Sequence, residues 1–328
     1  MFEVESNLWL QAFHAGWFAE WMRVMSWLGE EWFYMPAMLV LLFGIRLRPA
    51  MGVLLALVLV GAATDGLKQG FGLPRPSEVD ARVLDKGESD HFLVADGGAG
   101  GFWELPAPEA VAAARAQPEP DYGFVSGHTS AATVLVLAIA LSFGLRNPWG
   151  WAFVAVWPLL MGISRMYLGR HFLGDVVGGL AVGVIGALAV CTFLRRVQEA
   201  ESGKRTWNLL AAAMSATVAA CLLPWVDPRS AGAVAGTLLC IGVLQWTGYP
   251  SDEAGLPRRF ARVVLAFVIG YGLSHLLDAA YLAGGWPERH AMAFVFAIAG
   301  YAASILGTVA VVRVCRLYPA PRAVQASV

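Results

Sequence analysis

The sequence has little charge for its length. Lys, Arg, Asp and Glu make up 14% of its 328 residues, whereas 58% are hydrophobic and the mean hydropathy is +0.59. Soluble domains carry about 25% charged residues, so this composition excludes an ordinary soluble protein and indicates a polytopic membrane protein. The net charge of −1 says little about partners. We expect membrane lipids as surroundings, predict no nucleic-acid partner, and leave the oligomeric state open.

Cysteine is also scarce, and the sequence offers no cluster of metal ligands. Cys191, Cys221, Cys240 and Cys315 fall inside apolar runs without metal-ligand spacing, so we interpret them as small hydrophobic residues rather than a disulfide set. No group of carboxylates suggests a metal site, and we predict neither metal nor cofactor. The amino terminus lacks the positive region and cleavage site of a removable signal peptide, so we expect the first segment to stay in the mature protein.

Apolar runs of membrane-spanning length recur along the chain. A bilayer core needs roughly 20 apolar residues of helix, and we predict an all-α polytopic bundle of about nine transmembrane helices. The predicted spans are residues 32–45, 49–67, 127–145, 149–167, 172–194, 207–225, 231–249, 261–282 and 291–312.

An amphipathic segment precedes these spans. Residues 7–28 place tryptophan, phenylalanine and leucine at helical spacing, with Asn7, Gln11 and His14 on another face. This pattern predicts an interfacial helix along the membrane surface, with His14 solvated.

We expect one membrane domain, 1–328, in three parts. Residues 1–30 form the interfacial helix, residues 31–197 the core, and residues 205–318 a four-helix extension at the carboxyl end. The core contains an extramembrane loop, 74–122, which is rich in proline, glycine and acidic residues. Within it, Pro108 to Gln117 has the composition of a short helix.

Basic residues indicate the orientation of the bundle. If nine spans alternate, the basic clusters fall on one side, which the positive-inside rule places in the cytoplasm. The acidic loop then lies outside, with the active site at the periplasmic face of a bacterial inner membrane. The clusters are Arg46 and Arg48; Arg146; Arg195, Arg196, Lys204 and Arg205; Arg258, Arg259 and Arg262; and Arg313, Arg316 and Arg322.

Ser164 to Asp175 places charge where the surrounding sequence is apolar. His171 and Asp175 are four residues apart, so in a helix they share a face, and a carboxylate can accept the Nδ1 proton and leave Nε2 free to attack. Arg165 and Arg170 nearby suit a phosphate. The alternative interpretation is a loop of snorkelling arginines with an incidental histidine.

Further polar residues are expected at the same membrane face. Lys68 and Arg75 lie where the second span ends, and Ser126-Gly127-His128 opens the third. The amino terminus of a helix attracts anions, although each residue alone could be an interfacial anchor or a plain cap. Elsewhere, His275 and Asp278 form a polar pair that we expect to be satisfied locally, and Gly174, Gly178, Gly179 and Gly183 predict close helix packing.

These residues together form a recognisable signature. Lys68-x6-Arg75-Pro76, then Ser126-Gly127-His128, then Ser164-Arg165-x5-His171-x3-Asp175 resembles the pattern K-x6-R-P, P-S-G-H and S-R-x5-H-x3-D of the type-2 phosphatidic acid phosphatase and haloperoxidase superfamily, in its integral-membrane phosphatase branch. The resemblance covers about residues 28–195. Val125 departs from it, since the family usually has proline there.

The resemblance implies a role for each signature residue. His171 would attack phosphorus to form a phosphohistidine, with Asp175 orienting its ring. His128 would protonate the leaving oxygen and later take a proton from water. Phosphate would be held by Lys68, Arg75, Ser126, Gly127 and Arg165. Arg170 is not a fixed position and is expected to be a neighbour.

We therefore predict a metal-independent membrane phosphatase that hydrolyses a phosphate monoester or pyrophosphate, with a phosphorylated lipid as substrate. A lipid phosphotransferase and a phosphatase for a soluble sugar phosphate stay open as alternatives. A non-enzyme alternative is an anion transporter, which would favour inverted repeats that the sequence does not display. Loop 74–122 is too long for a simple connector, so we expect a lid, the alternative being an acidic insertion without a role.

Overall fold

The computed structural model describes residues 1–86, 93–200, 203–286 and 289–319. Part of the predicted loop, 87–92, and Arg322 of the last basic cluster lie outside these ranges. The protein is all-α. The helices are α1 (Glu5–Gln11), α2 (Gly16–Trp27), α3 (Glu31–Leu39, continued by a π-helical turn Val40–Ile45), α4 (Leu47–Phe71), α5 (Pro76–Val79), α6 (Pro108–Arg115), α7 (Gly127–Phe143), α8 (Pro148–Tyr167), α9 (Leu173–Glu199), α10 (Lys204–Ala220), α11 (Pro228–Thr247), α12 (Leu256–Ala283) and α13 (His290–Val314).

Each of the predicted spans corresponds to a helix, but not all of these helices are long and apolar enough to cross a bilayer. Within the described residues, five meet that criterion, or six if α2 and α3, bent by 54° at their junction, count as one broken span. Another, α7, is apolar but shorter. The chain is therefore a multi-pass membrane protein with five or six candidate spans, and the count of nine is not supported by length and composition.

The chain divides into two compact units. Unit 1 comprises residues 1–34, 56–192 and 223–227, and unit 2 comprises residues 35–55, 193–222 and 228–328. α3, α4 and α9 each contribute residues to both units, whereas residues 223–227 of unit 1 belong to the connection between α10 and α11.

In unit 1, the amino-terminal segment is two helices, not the continuous one that the periodicity predicted. The two helices are separated by residues 12–15. A tertiary contact lies at this break, where the Tyr167 hydroxyl donates to the Phe13 carbonyl over 3.2 Å. Asn7 is fully buried, and its side chain donates to the carbonyls of Met166 (2.9 Å) and His171 (3.0 Å). The predicted polar face is thus partly a packing surface, whereas His14 is exposed as expected.

Small residues bring α9 close to α7, as the glycine spacing predicted. A Cβ on Gly179 would lie 2.7 Å from the Ser126 carbonyl oxygen, and one on Gly183 would lie 2.5 Å from the Thr133 Cβ. Any larger residue would push α9 away from the start of α7. This approach lets the Ser126 amide donate to the Asp175 carbonyl over 3.0 Å, which joins two parts of the signature.

Unit 2 contains α10 to α13. Here α11 packs closely on α13, since a Cβ on Gly232 would lie 2.6 Å from the Ala297 Cβ. His275 packs against the Tyr271 ring at 4.2 Å and is exposed, as is Asp278. Of the cysteines, Cys191 and Cys240 are buried, whereas Cys315 is exposed.

Candidate functional site

His171 lies in the short loop between α8 and α9, and Asp175 lies in the first turn of α9. The His171 Nδ1 is 3.3 Å from the Asp175 Oδ2, which also accepts from the Phe172 amide over 2.9 Å. His171 is 2% exposed and Asp175 is fully buried. The carboxylate is therefore fixed by the backbone and faces the ring, which leaves Nε2 as the nitrogen available for chemistry.

The second histidine, His128, occupies the first turn of α7. Ser126 caps this helix, and its hydroxyl accepts from the Thr129 hydroxyl over 3.0 Å. A hydroxyl engaged in this way holds the turn, so the predicted anion-binding role of Ser126 and Gly127 rests on their backbone amides. The Ser126 amide already donates to the Asp175 carbonyl, which leaves Gly127 as the better placed of the two.

Four positive side chains belong to the same region, and one carboxylate joins three of them. Asp121 Oδ1 lies 2.5 Å from Arg75 Nη2 and 3.8 Å from Lys68 Nζ, and its Oδ2 lies 3.3 Å from Arg170 Nη2. Arg75 is only 3% exposed. Asp121, near the end of loop 74–122, therefore joins Lys68 and Arg75, which the signature assigns to phosphate, to Arg170, which lies outside the signature.

Arg165 approaches from the end of α8. Its Nη1 donates to the Ser26 hydroxyl of α2, and the Ser164 hydroxyl donates to the Met22 carbonyl over 2.6 Å. Among the residues that the structure describes, none accepts a hydrogen bond from the buried Nε of Arg165. A buried guanidinium with a vacant donor can bind a further oxygen at little desolvation cost.

Charge and burial set the protonation of the groups in the loops. Burial raises the pKa of the Asp121 carboxyl, but the charges of Arg75 and Lys68 and the hydrogen bond from Arg75 outweigh it and lower that pKa to about 2. For His171, burial and the nearby charges of Arg75 and Arg165 lower the pKa well below its ordinary value. At neutral pH, Asp121 is thus an anion and His171 a neutral base, which is the nucleophilic form.

Part of loop 74–122 packs beside the His171 loop. The Lys86 amide donates to the Leu168 carbonyl over 3.1 Å, and Gln11 binds the Leu84 backbone through its Nε2 (2.6 Å) and its Oε1 (3.0 Å). Gly169 has a positive φ of +76°, and a Cβ there would lie 2.5 Å from the Leu84 carbonyl oxygen. The segment 81–86 is therefore built into the wall of the site, and the predicted helix within the loop is present as α6.

Two neighbours of the signature were not predicted, and neither leaves a local signal in the sequence. Asp121 is 46 positions from Arg75 and Glu30 is 98 positions from His128, with the Glu30 Oε1 lying 3.0 Å from the His128 Nε2. Arg170, predicted to be a neighbour of the signature residues, pairs with both Asp121 and Asp85. In the part of the chain that the structure describes, no three His, Cys, Asp or Glu residues come together as they would around a metal ion.

In a helical membrane protein, a histidine oriented by a buried carboxylate and set among arginines is the arrangement that the phosphatase resemblance implies. The family comparison agrees, since residues 49–199 match the PAP2 superfamily. The match covers just under half of the chain and includes every residue of the signature.

Individual relatives are similar over a short stretch. A lipid A 4'-phosphatase of Porphyromonas gingivalis is 42% identical over 65 residues, which are 20% of this chain and 26% of that protein. The undecaprenyl-diphosphatase BcrC of Bacillus subtilis is also 42% identical over 65 residues, 20% of this chain and 32% of that protein. Among solved structures, the crystal structure of Aquifex aeolicus LpxE has a TM-score of 0.44 at 19% identity and covers 58% of this chain and 96% of that one.

Proposed function

We propose that this protein hydrolyses the phosphate monoester or pyrophosphate of a membrane lipid through a phosphohistidine on His171. The observation that carries the proposal is the convergence of a carboxylate-oriented histidine, a second histidine and four cations. A site built only for anion binding would not need the oriented nucleophile.

In the first step, the lone pair of His171 Nε2 attacks phosphorus as the bond to the leaving oxygen breaks. Asp175 keeps the Nδ1 proton in place and stabilises the positive charge that the ring acquires. His128, protonated, gives its proton to the departing oxygen. In the second step, His128 removes a proton from the attacking water, phosphate leaves, and His171 returns to its neutral form.

The cations hold the phosphoryl oxygens during both steps. Lys68, Arg75 and Arg165 supply positive charge where negative charge redistributes, and the Gly127 amide at the start of α7 adds a donor. Three fixed cations can provide the stabilisation that Mg²⁺ provides in other phosphoryl-transfer sites. We accordingly propose catalysis without a metal.

A lipid substrate is supported by the surroundings of the site. The site lies at one end of apolar helices, and the short-range relatives are named for phosphorylated or diphosphorylated lipids. We propose further that this end faces the periplasm of a bacterial inner membrane, because the basic clusters at the opposite ends of the helices favour the cytoplasm. We also propose nine membrane crossings in one domain. Its parts are an interfacial helix at 1–30, a core at 31–197 and an extension at 205–318.

The test is phosphate release by purified full-length protein from a long-chain lipid phosphate, a polyprenyl diphosphate and a soluble sugar phosphate, each with and without an acceptor lipid. We expect release from a lipid, loss of release in His171→Ala, and retention in His14→Ala, the matched control at an exposed histidine. Full activity in His171→Ala, or no release from any substrate, would overturn the proposal.

Metal dependence is tested on the same preparation. EDTA should leave the rate unchanged, whereas vanadate, which adopts the trigonal bipyramidal geometry of the transferred phosphoryl group, should inhibit. Inactivation by EDTA that Mg²⁺ reverses would contradict a metal-free site.

A further inference from the structure

The turn between α2 and α3 contacts two of the three signature motifs. We call residues 26–30, which are the last two residues of α2 and the three that connect it to α3, the α2–α3 turn. Ser26 accepts from Arg165, and Glu30 Oε1 lies 3.0 Å from His128 Nε2. One helical turn earlier, the Met22 carbonyl accepts from Ser164. This segment precedes residue 49, where the PAP2 match begins, so the core motifs do not account for it.

The approach of this turn to His128 is close. A Cβ on Gly29 would lie 2.5 Å from the His128 Cδ2 and 3.0 Å from the Met161 Sδ. Any side chain at residue 29 would displace the imidazole or the turn. Glycine at this position therefore lets the backbone pass against the ring and brings the next residue, Glu30, to its Nε2.

We propose that Glu30 is the positioning residue for His128. This inference rests on the proposed function, in which His128 is the general acid. Because Nε2 of His128 is hydrogen-bonded to Glu30, Nδ1 is the ring nitrogen that can donate a proton to the leaving oxygen. Glu30 thus plays for His128 the part that Asp175 plays for His171, and the amino-terminal segment supplies a component of the catalytic machinery.

Charge explains why His128 needs such a partner. Burial disfavours the protonated form of this ring, and Arg165 and Lys68 add positive charge that disfavours it further, whereas Glu30 favours it. The proton balance is closed within the site: imidazolium Nδ1–H passes to the oxygen as the P–O bond breaks and the P–N bond to His171 forms. The same nitrogen recovers a proton from water in the second step.

The experiment compares Glu30→Gln with Glu31→Gln, a matched change at the next residue, which is exposed. Two substrates are used: a short-chain alkyl phosphate, whose leaving group needs a proton, and 4-nitrophenyl phosphate, whose leaving group departs without one. The readout is kcat/KM, since it covers steps only up to departure of the leaving group. For Glu30→Gln we expect a fall of about 10- to 100-fold with the alkyl phosphate and almost no change with 4-nitrophenyl phosphate.

A double variant separates positioning from a structural role. In a His128→Ala background, Glu30→Gln should reduce kcat/KM for the alkyl phosphate by no more than about twofold further, because a residue that acts through His128 has nothing left to act on. Equal losses with both substrates would show a structural role and overturn the inference, as would an additive loss in the double variant or wild-type values in Glu30→Gln. His171→Ala separates failure of this inference from failure of the proposed function. If the proposed function is wrong, His171→Ala keeps its activity; if only the role of Glu30 is wrong, His171→Ala is inactive.

Discussion

Two regions of this protein gather arginines, and the partners of these arginines differ. In unit 1, Arg75 and Arg170 share the carboxylate of Asp121, whose side chain is 43% exposed. In unit 2, Arg48 lies over the Tyr249 ring at 4.7 Å, and Arg262 lies over the Tyr318 ring at 4.9 Å.

The partners in unit 2 are fixed parts of the fold. Arg259 donates to the Ala254 carbonyl over 2.8 Å, and Asp252 accepts from the Leu47 amide over 3.1 Å. An open cleft of about 540 Å³ beside them is lined by Arg46, Arg48, Pro49, Tyr249, Pro250, Ser251, Asp252 and Glu253.

The contrast shows that a group of arginines does not by itself make a catalytic site. Backbone carbonyls and tyrosine rings cannot leave, so we infer that the unit 2 arginines serve packing, although Arg262, like Arg165, has buried donors without an acceptor among the described residues. Asp121 sits at the end of a loop and partly in solvent, so a phosphate can replace its carboxylate on the cations. Unit 1 adds the proposed nucleophile His171 and the proposed proton donor His128 beside those cations, and we infer that catalysis depends on this combination.

Substitution of one carboxylate in each unit, Asp175 in unit 1 and Asp252 in unit 2, is expected to give the largest difference in kcat. Asp175→Asn should lower kcat by about 10³-fold or more, because an amide no longer selects the correct tautomer or stabilises the charged ring. Asp252→Asn in unit 2 should leave kcat unchanged. Rates of phosphate release at saturating substrate measure both, and a similar loss in the two variants would break the comparison.

Matched arginines come next. Arg75→Gln should lower kcat/KM by about 10²- to 10³-fold, the usual cost of removing one donor to a developing oxyanion. Arg262, equally buried at 1% exposure, should tolerate Arg262→Gln without loss of kcat/KM and show instead a lower thermal midpoint in detergent. Loss of activity in Arg262→Gln at an unchanged thermal midpoint would mean that unit 2 arginines also serve catalysis.

A smaller effect is expected at Asp121. Asp121→Asn removes the anion that competes for Lys68, Arg75 and Arg170, so inorganic phosphate should inhibit about two- to fivefold more strongly. Because the lowered pKa of Asp121 is about 2, this carboxyl is ionised throughout pH 5–8, and the effect of Asp121→Asn should be constant over that range. Asp85→Asn, which removes a carboxylate that pairs with Arg170, is the control. Weaker inhibition by phosphate in Asp121→Asn would show that Asp121 organises the site rather than competing with phosphate.

The smallest effect is expected at the tip of loop 74–122. Trp103 is 80% exposed and Phe102 is 44% exposed, which suits contact with lipid. Replacing 98–106 by a Gly-Ser linker keeps the packed segment 81–86 and should change the ratio of kcat/KM for a lipid phosphate to that for a soluble phosphate ester by a few-fold. An unchanged ratio would mean that the tip does not select substrate.

The parts of the site that could be predicted are those with local spacing. The contact of His171 with Asp175, the Ser126 cap and the close packing of the α9 glycines were predicted from local spacing, and the structure has all three. His171 differs in one respect, since it lies in the loop before α9 rather than in the helix. Asp121 and Glu30 could not be predicted, because their contacts depend on how distant segments fold together.

Helix length and composition support five or six of the nine predicted spans, for a related reason. Hydropathy predicts where apolar helices lie, but the residue at which each helix ends, and therefore its length, depends on contacts and turns. α7 ends at Phe143, where Gly144 takes a left-handed φ of +69°, and it is too short to meet the spanning criterion. The break between α1 and α2 likewise follows from the contact of Tyr167 with Phe13, which no periodicity reveals.

The central claim is that His171 carries the phosphoryl group. The most direct measurement is to mix His128→Ala with phosphorus-labelled 4-nitrophenyl phosphate, quench in alkali, and locate the label by peptide mass spectrometry. The account predicts label on the peptide containing His171, stable in alkali and lost in acid, at close to one group per chain, because this variant forms the intermediate but hydrolyses it slowly. A label on another residue, or turnover by the wild type with no covalent label in either protein, would contradict it.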